Sequence, residues 1–252
     1  MKAIVLAAGK GTRLGHLSKN TPKCLMKVNG RPLIQWQLDA FEALGISDVT
    51  IVGGYANEAL NYLSPPIIVN EKFSSTNMVF SLFCASHLMD GSSDLIVSYG
   101  DIVFEPRVLR ALLNSIGDIS VVVDKKWKRY WLARMENPLE DAETLKLDGR
   151  GFICELGEKA SGYGDIEAQY IGLIKFNANV ASRLPLIWRD LLTQASTEVN
   201  PRQMYMTEFI QHLIGIGFNV NPAYTNNGWL EVDTPSDLKL EPMPFFDVTA
   251  FS

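Results

Sequence analysis

Two basic side chains follow a glycine-containing loop near the N-terminus and define a candidate anion site. The apolar run Ala3–Leu6 predicts a buried strand, and Gly9 and Gly11 let the backbone turn tightly after it. Arg13 offers a guanidinium suited to paired contacts with phosphate oxygens, and Lys23 offers a mobile point charge. A strand, a glycine loop and two cations together predict a site for a polyanion, most simply a nucleoside triphosphate.

The same loop departs from two common nucleotide-binding motifs. Leu14 stands where the dinucleotide fingerprint G-x-G-x-x-G, begun by Gly9 and Gly11, has its third glycine. Gly53 and Gly54 end the second predicted strand, where that fingerprint has a ribose-binding Asp or Glu. No Gly-Lys-Ser/Thr sequence follows at P-loop spacing. The pattern therefore argues against an oxidoreductase and against a P-loop enzyme.

Carboxylates close two of the predicted strands. Asp101 follows the apolar strand Asp94–Ser98, and Glu231 and Asp233 close the strand Trp229–Val232. Residues two apart on a strand face the same side, so Glu231 and Asp233 can meet one Mg²⁺, which prefers oxygen ligands and bridges to phosphates. Each aspartate could instead cap a following helix. Carboxylates at two strand ends, together with cations in the first loop, favour a metal and phosphate site.

Strand-like and helix-like segments alternate along the chain, which predicts an α/β fold with a mainly parallel sheet. The predicted strands are Lys2–Leu6, Val49–Gly53, Ile67–Val69, Asp94–Ser98, Ile119–Val123, Thr144–Leu147, Gly151–Leu156, Tyr170–Phe176 and Trp229–Val232. The predicted helices are Pro32–Leu44, Asn57–Leu63, Asn77–Met89, Pro106–Asn114, Thr207–Ile214 and Val180–Gln194, the last with a break or kink at Pro185. We expect one domain over 1–252, with an insertion over 125–170 and a C-terminal tail over 241–252.

The composition limits the classes of function. The net charge is −5, and nucleic-acid binding usually requires a basic surface, so nucleic acid is not an expected partner. Cys24, Cys84 and Cys154 are too widely spaced for a disulfide framework or a CxxC metal site, which favours a reducing cytoplasm. The N-terminal apolar run is too short for a signal peptide or a membrane span, so we expect no membrane association.

The loop Leu6–Leu14 and the segment Thr21–Lys23 resemble the signature of the sugar-phosphate nucleotidyltransferase family. Gly30–Ile34 continues the similarity, and Tyr99–Asp101 and Glu231–Asp233 match the two metal-binding positions of that family. The resemblance covers nearly the whole chain. One departure is Lys10, because the family normally has a small residue there. Lys10 either adds a phosphate contact or points to solvent.

Within the family, Gly53–Tyr55, Thr76–Met78 and the Glu-Val-Asp ending are similar to the cytidylyltransferase branch. Members of that branch use CTP and a small phosphate or phosphonate, such as phosphocholine or 2-aminoethylphosphonate. The stretches 137–146, 167–172 and 204–207 are similar to phosphoglutamine cytidylyltransferases of bacterial capsule phosphoramidate pathways. The resemblance therefore implies an enzyme that activates a small amino-bearing phosphate for transfer to a surface glycan.

The resemblance also implies a fold and a role for each motif. The fold is a Rossmann-like, mainly parallel mixed sheet flanked by helices, the nucleotide-diphospho-sugar transferase fold, with a small inserted acceptor-binding subdomain. Asp101, Glu231 and Asp233 would hold the cofactor Mg²⁺, Arg13 would neutralise the leaving pyrophosphate, and Lys23 would hold the acceptor phosphate. The residues expected to bind the nucleotide are Leu6, Ala7, Ala8, Gly9, Lys10, Gly11, Thr12, Gly54, Asn77 and Asp101.

The insertion over 125–170 is expected to supply most of the acceptor pocket. Aromatic side chains can hold a quaternary ammonium by cation–π attraction, and charged side chains among them suit a zwitterion with an amine and a carboxylate. Core packing of these aromatics within a small subdomain is an equal alternative. The candidate acceptor residues are Lys23, Trp127, Trp131, Arg134, Glu143, Tyr163, Glu167, Tyr170 and Tyr205.

Two other functions fit the same motifs. A sugar-1-phosphate nucleotidyltransferase would use another nucleoside triphosphate, and a regulatory module would bind the nucleotide without turnover. The joint presence of Arg13, Lys23, Asp101 and Asp233 argues against the regulatory module, because a binding-only protein could lose one of them. The aromatics of Pro244–Phe246 are expected to be exposed, which suggests a partner surface and a homodimer.

Overall fold

The computed structural model describes residues 1–194 and 200–251, so Ser252 of the predicted tail lies outside the described residues. The strands are β1 (Lys2–Ala7), β2 (Lys27–Val28), β3 (Arg31–Pro32), β4 (Asp48–Gly53), β5 (Ile67–Val69), β6 (Leu95–Tyr99), β7 (Ile102–Phe104), β8 (Ile119–Asp124), β9 (Glu143–Leu147), β10 (Ile153–Lys159), β11 (Gln169–Phe176), β12 (Val220–Thr225) and β13 (Trp229–Glu231). The α-helices are α1 (Leu33–Ala43), α2 (Met78–Cys84), α3 (Pro106–Asn114), α4 (Trp127–Arg134), α5 (Ala178–Thr193) and α6 (Met206–Gly215). Among the helices in these two ranges, none is long and apolar enough to cross a membrane.

One mixed sheet of nine strands has the order β5-β4-β1-β6-β11-β8-β12-β10-β9. β1 pairs in parallel with β4 and β6, whereas β11 runs antiparallel to β6 and β8. Successive side chains of β1 alternate between two hydrophobic clusters. One cluster includes side chains of α1 and α3, and the other includes side chains of α2, α5 and α6. Helices therefore cover both faces of the sheet, and the predicted α/β class with a mixed sheet flanked by helices is confirmed.

The carboxyl ends of β1, β4 and β6 lie side by side at one end of the strands because these strands are parallel. In this register Leu6 lies opposite Tyr99. Gly100 then passes so close to β1 that a side-chain carbon at this position would be 2.7 Å from the carbonyl oxygen of Leu6. The turn that leads to Asp101 therefore requires glycine. It places Asp101 near the carboxyl end of β1, where the glycine loop begins.

A small antiparallel sheet brings the two acidic motifs together. β7 pairs with β13 so that Ile102 lies opposite Glu231. The backbone N–H of Val232 donates to the carbonyl oxygen of Asp101 at 3.0 Å. The sequence predicted β13 but not β7, because three apolar residues directly after Asp101 are too few to show a strand pattern.

The region 125–170 begins with helix α4 where short strands were expected. Trp127, Tyr130 and Trp131 are buried in the same hydrophobic cluster as α1. The strands predicted near 144–147 and 151–156 correspond to β9 and β10 at the far edge of the main sheet. Aromatic residues favour strands by intrinsic preference, so the helix depends on packing that the local sequence does not show.

Two prolines explain two further differences from the predicted elements. Of the break or kink predicted at Pro185, the break is wrong, because helix α5 continues through this residue from Ala178 to Thr193. Strand β12 contains Pro222. Because a proline argues against a central strand, the sequence pattern did not predict this strand. β12 pairs along its length with β8, but its pairing with β10 is confined to Val220 opposite Ile153. Pro222 is tolerated because β12 pairs with β10 at a single position, so most of this side of the strand forms no ladder.

The C-terminal segment packs into the core. Phe246 is fully buried, Phe245 is 6% exposed, and the rings of Phe246 and Trp36 meet edge to face with their centres 5.4 Å apart. The carbonyl oxygen of Phe245 accepts the backbone N–H groups of Gly228 and Trp229. The prediction of a tail with exposed aromatics at Pro244–Phe246 is therefore wrong, and the partner surface inferred from it loses its basis.

We expect the substitution Phe246→Ala to lower the free energy of unfolding by about 3–5 kcal/mol, because it removes a fully buried ring and leaves a cavity. Urea unfolding followed by tryptophan fluorescence measures the change. Met243→Ala is the control, since Met243 is 59% exposed, and it should cost less than about 0.5 kcal/mol. Equally small effects of both substitutions would contradict the packing of this segment.

Candidate active site

Three carboxylates converge where β6, β7 and β13 meet. Ligand oxygens of Asp101, Glu231 and Asp233 lie within 4.8 Å of one another. Oδ1 of Asp101 is buried and has no hydrogen-bond partner among the described residues. An unpaired carboxylate oxygen beside two further carboxylates suits a divalent cation that prefers oxygen ligands. The donor set therefore fits Mg²⁺, and the structure brings together the three residues expected to bind it.

Lys23 lies between two of these carboxylates. Its Nζ donates to Oδ2 of Asp101 at 2.7 Å and forms an ion pair with Asp233. Burial disfavours the ammonium form, but the charges of Asp101 and Asp233 outweigh this effect and raise the pKa of Lys23 above its usual value. Lys23 therefore remains charged at neutral pH and offsets part of the repulsion among the carboxylates.

Arg13 reaches the same cluster from the glycine loop. Its Nη2 donates to Oδ1 of Asp233 at 2.9 Å, while the side chain remains 63% exposed. Gly11, two residues before Arg13, has a left-handed backbone with φ of 61°, and a side-chain carbon there would lie 3.2 Å from Cβ of Lys23. Glycine at this position lets the loop turn beside Lys23, so that both cations contact Asp233.

Arg134 binds the carboxylates from inside the protein. Its side chain is 3% exposed, and it donates to Oε2 of Glu231 at 2.8 Å and to Oδ1 of Asp237 at 3.0 Å. The sequence predicted that Arg134 contacts the acceptor, but its guanidinium is occupied by these internal carboxylates. The local pattern could not reveal this placement, because it does not show which face of α4 packs against β13.

Asp237 is a site residue that the sequence motifs did not reveal. Its Oδ2 accepts the backbone N–H groups of Asp233 at 2.9 Å and Thr234 at 2.8 Å. The alternative role of Asp233 as a helix cap is not observed, because the following 3-10 helix Asp237–Lys239 has no side-chain cap among the described residues and the Asp233 carboxylate faces Lys23 and Arg13. Two aspartates four residues apart around Thr-Pro-Ser are a signal that could have indicated this turn.

The glycine loop forms one wall of a cavity at the carboxyl end of β1. Its lining contains the predicted nucleotide residues Leu6, Ala7, Ala8, Gly9, Asn77 and Asp101, and also Lys23, Cys24, Phe73, Thr76, Met78, Ser81, Tyr99 and Gly100. Gly54 packs against the loop, where a side-chain carbon would lie 2.8 Å from the carbonyl oxygen of Ala8. Glycine at this position lets the loop pack closely on the chain that leaves β4.

Lys10 and Thr12 occupy different surroundings within the loop. Lys10 is exposed, and its ammonium lies 5.8 Å from the ring centre of Tyr55. The solvent-facing alternative for Lys10 matches this placement. Thr12 lines a second cavity on the other side of the carboxylates. Thr12 is therefore separated from the predicted nucleotide residues that line the first cavity, and Lys10, Gly11 and Gly54 line neither of these two cavities.

The second cavity, of about 630 Å³, contains much of the predicted acceptor pocket. Its lining includes the predicted acceptor residues Trp131, Glu143, Tyr170 and Tyr205, and also Thr12, Arg13, Asp141, Gln169, Ile171, Gly172, Thr207, Trp229, Glu231 and Asp233. Met78, Tyr99 and Asp101 line both cavities. Two ligands, one in each cavity, would therefore meet at Asp101.

Three other predicted acceptor residues have different surroundings. Trp127 is 5% exposed and packs against Trp131 with ring centres 5.8 Å apart, as the core-packing alternative expects. Glu167 is exposed, and its Oε1 accepts the backbone N–H of Leu147 at 2.8 Å. The ring of Tyr163 lies 3.5 Å from the ammonium of Lys128. These placements do not match the predicted acceptor contacts, because helix α4 and the loop after β10 direct these side chains elsewhere.

The second cavity has an acidic and aromatic lining. Glu143 is exposed overall, and partial loss of solvation at the cavity wall, together with the charges of Asp141, Glu158 and Glu208, raises its pKa to about 7. The hydroxyl of Tyr170 is buried and has no hydrogen-bond partner within the described part of the chain. A cationic ligand group would stabilise the ionised form of Glu143, and the Tyr170 hydroxyl is available for a further polar contact.

Curated relatives match the chain over most of its length. The chain is 41% identical over 254 residues to the CTP:phosphoglutamine cytidylyltransferase of Campylobacter jejuni subsp. jejuni, a match that covers 96% of this chain and 99% of that protein. It is 27% identical over 233 residues to the 2-aminoethylphosphonate cytidylyltransferase of Lancefieldella rimae, which covers 88% of this chain and 84% of that protein.

Solved structures share the fold. A CTP:phosphocholine cytidylyltransferase from Streptococcus pneumoniae matches with a TM-score of 0.71 and 23% identity, covering 94% of this chain and 96% of the other. An inositol-1-phosphate CTP transferase from T. maritima matches with a TM-score of 0.71 and 18% identity over 98% of both chains. The family model of the MobA-like NTP transferase domain matches residues 3–195. The chain therefore belongs to the MobA-like NTP transferase family and is a nucleotidyltransferase.

Proposed function

We propose that this enzyme transfers CMP from CTP to a small amino-bearing phosphate or phosphonate, with Mg²⁺ as cofactor, and releases pyrophosphate. The observation that carries the proposal is the junction of the two cavities at Asp101, where three carboxylates and the cations Lys23 and Arg13 converge. A nucleotide in the first cavity and an acceptor in the second would present their phosphates to each other at this point.

The reaction is an in-line displacement at phosphorus. An oxygen of the acceptor phosphate attacks the α-phosphorus of CTP and forms a new P–O bond. The bond from the α-phosphorus to the oxygen bridging it to the β-phosphate breaks, and its electron pair leaves with pyrophosphate. Such transfers require positioning and charge neutralisation from the protein more than covalent catalysis. A compact cluster of buried charges beside two cavities suits this requirement.

Asp101, Glu231 and Asp233 would hold the Mg²⁺. When bound, the ion neutralises charge on the α-phosphate. The unpaired, buried Oδ1 of Asp101 supports this assignment, since such an atom otherwise carries an uncompensated loss of solvation. The hydrogen bond from Val232 to the Asp101 carbonyl oxygen fixes the two acidic segments relative to each other.

Arg13 and Lys23 serve different phosphates in this proposal. The Arg13 side chain is largely exposed, so it can exchange its contact with Asp233 for the leaving pyrophosphate, whose oxygens match its planar fork. Lys23 lines the first cavity and is largely buried beside Asp101, which lines both cavities, so its ammonium would hold the acceptor phosphate near the α-phosphorus.

The lining of the second cavity supports an acceptor that carries an ammonium group. Glu143 and Asp141 supply carboxylates, and Trp131 and Tyr205 supply aromatic faces for cation–π contacts. The relative with 41% identity acts, by its name, on phosphoglutamine. We therefore propose a phosphoglutamine-like acceptor, followed by 2-aminoethylphosphonate and phosphocholine, and a CMP-linked product that serves transfer to a surface glycan.

Pyrophosphate release with a matrix of substrates tests this function. Each of the four NTPs would be combined with Mg²⁺ and with phosphoglutamine, 2-aminoethylphosphonate, phosphocholine or a hexose 1-phosphate. We expect release with CTP and an amino-bearing acceptor, and mass spectrometry should show the CMP-linked acceptor. Faster turnover of the hexose 1-phosphate would instead indicate sugar activation. Binding of CTP without any pyrophosphate release would indicate the regulatory module.

The substitution Asp101→Asn should lower kcat by about 100-fold or more, because loss of one preorganised charge at the reacting phosphates typically costs 10²–10³ in rate. Steady-state pyrophosphate release at saturating CTP and acceptor measures the change. Asp48→Asn is the control, since Asp48 is an exposed aspartate at the start of β4, and it should leave kcat unchanged. A kcat for Asp101→Asn equal to that of the control would sink the proposed role of the cluster.

Protonation of Glu143 should weaken binding of the acceptor. Its pKa of about 7 means that the carboxyl loses its charge as the pH falls below that value, and only the ionised form attracts an ammonium group. The acceptor KM of the wild-type enzyme should therefore rise between about pH 8 and about pH 6. In Glu143→Gln the acceptor KM should be high throughout this range.

The acceptor phosphate changes its own protonation in this pH range with the wild type and with Glu143→Gln alike. The difference between the pH profiles of the two enzymes therefore reports on Glu143 alone. The measurement is the acceptor KM at saturating CTP, with 2-aminoethylphosphonate as the acceptor. Identical KM values and identical pH profiles in the two enzymes would show that Glu143 does not contact the ammonium group.

A further inference from the structure

Helix α4 connects the acceptor cavity to the carboxylate cluster. The Tyr130 hydroxyl accepts the backbone N–H of Glu231 at 2.8 Å and donates to the carbonyl oxygen of the same residue at 3.1 Å. Trp131 lines the acceptor cavity and donates through Nε1 to Asp141 at 2.9 Å. Arg134, four residues after Tyr130, binds the Glu231 side chain. One helix therefore contacts both the backbone and the carboxylate of Glu231.

The guanidinium of Arg134 restrains Asp233 as well. Its Nη2 lies 3.5 Å from Oδ2 of Asp233, and its Nε donates to Oδ1 of Asp237. Asp237 in turn accepts the backbone N–H groups of Asp233 and Thr234 through its other oxygen. Arg134 thus reaches Asp233 directly and also through the turn that Asp237 holds.

The three cations around the carboxylates differ in their access to ligands. Lys23 lines the first cavity and Arg13 the second, and in the proposed reaction they contact substrate phosphates. Arg134 is 3% exposed, and its donors point to Glu231 and Asp237. When phosphates draw Lys23 and Arg13 towards them, Arg134 remains as the permanent counter-charge of the acidic residues.

We propose that Arg134 is a positioning residue that holds Glu231 and Asp233 in the arrangement that binds the metal ion. This inference rests on the metal-dependent function proposed above. The role requires a guanidinium, because Nη1 and Nε donate in different directions to two carboxylates, which the point charge of a lysine cannot reproduce. Charge neutralisation alone would be satisfied by lysine, so the conservative variant separates the two roles.

Binding of Mn²⁺, followed by the electron paramagnetic resonance signal of the free ion, tests the proposal without turnover. The proteins are the wild type, Arg134→Lys, Arg134→Met and the control Arg129→Met, all with the non-hydrolysable analogue α,β-methylene CTP. Arg129 lies on the same helix and is exposed. We expect Arg134→Met and Arg134→Lys to weaken Mn²⁺ binding by ~10- to 100-fold, as loss of a group that orients metal ligands typically does. Arg129→Met should bind Mn²⁺ like the wild type.

Thermal unfolding of each protein separates positioning from stability. Arg134→Met leaves buried carboxylates unpaired and should lower Tm, whereas Arg134→Lys keeps the charge and should remain closer to the wild type. Weak Mn²⁺ binding by Arg134→Lys, well below its Tm, would support the proposal even if Arg134→Met does not fold. Wild-type Mn²⁺ affinity in Arg134→Lys would overturn it. Failure of the wild-type protein to bind Mn²⁺ would instead reject the proposed metal dependence itself.

Discussion

The pairing of β7 with β13 is the constraint on which the rest of the site depends, because it places Glu231 and Asp233 beside Asp101. Like charges so close together repel, and burial strengthens the repulsion, so the pairing is stable only with nearby cations. Lys23 comes from the N-terminal segment and Arg134 from helix α4. One cluster of charges therefore connects the first loop, helix α4 and the C-terminal strands.

Groups far from the chemistry hold β13 in place. The fully buried carboxylate of Asp124 accepts Nε1–H of Trp229 at 2.9 Å and the backbone N–H of Asn227 at 3.0 Å. From the other side, Phe245 accepts the backbone N–H groups that begin the strand. Because the Asp124 carboxylate and the N–H groups that it accepts are paired with one another, these contacts fix the strand without an uncompensated loss of solvation. The C-terminal segment is thus part of the support of the active site.

The sequence predicted which charged groups lie together better than it predicted the walls of the cavities. Asp101 and Asp233 were expected to meet because each follows a short apolar strand, and Lys23 was expected beside them because it follows the glycine loop after β1. The direction of Arg134 could not be predicted, because it depends on which face of α4 packs against a strand about 100 residues later. Phe246 was misplaced for a similar reason, since its burial depends on the surface of α1 and not on its neighbours in the chain.

The central claim is that both reacting phosphates meet at the carboxylate cluster. Phosphorus NMR with Mn²⁺ as a paramagnetic probe tests it most directly, using α,β-methylene CTP and 2-aminoethylphosphonate together on the protein. The account predicts that Mn²⁺ shortens the relaxation times of both the α-phosphorus and the phosphonate phosphorus, and that Asp233→Asn removes both effects. A bound phosphonate whose relaxation is unchanged while the α-phosphorus responds would contradict it.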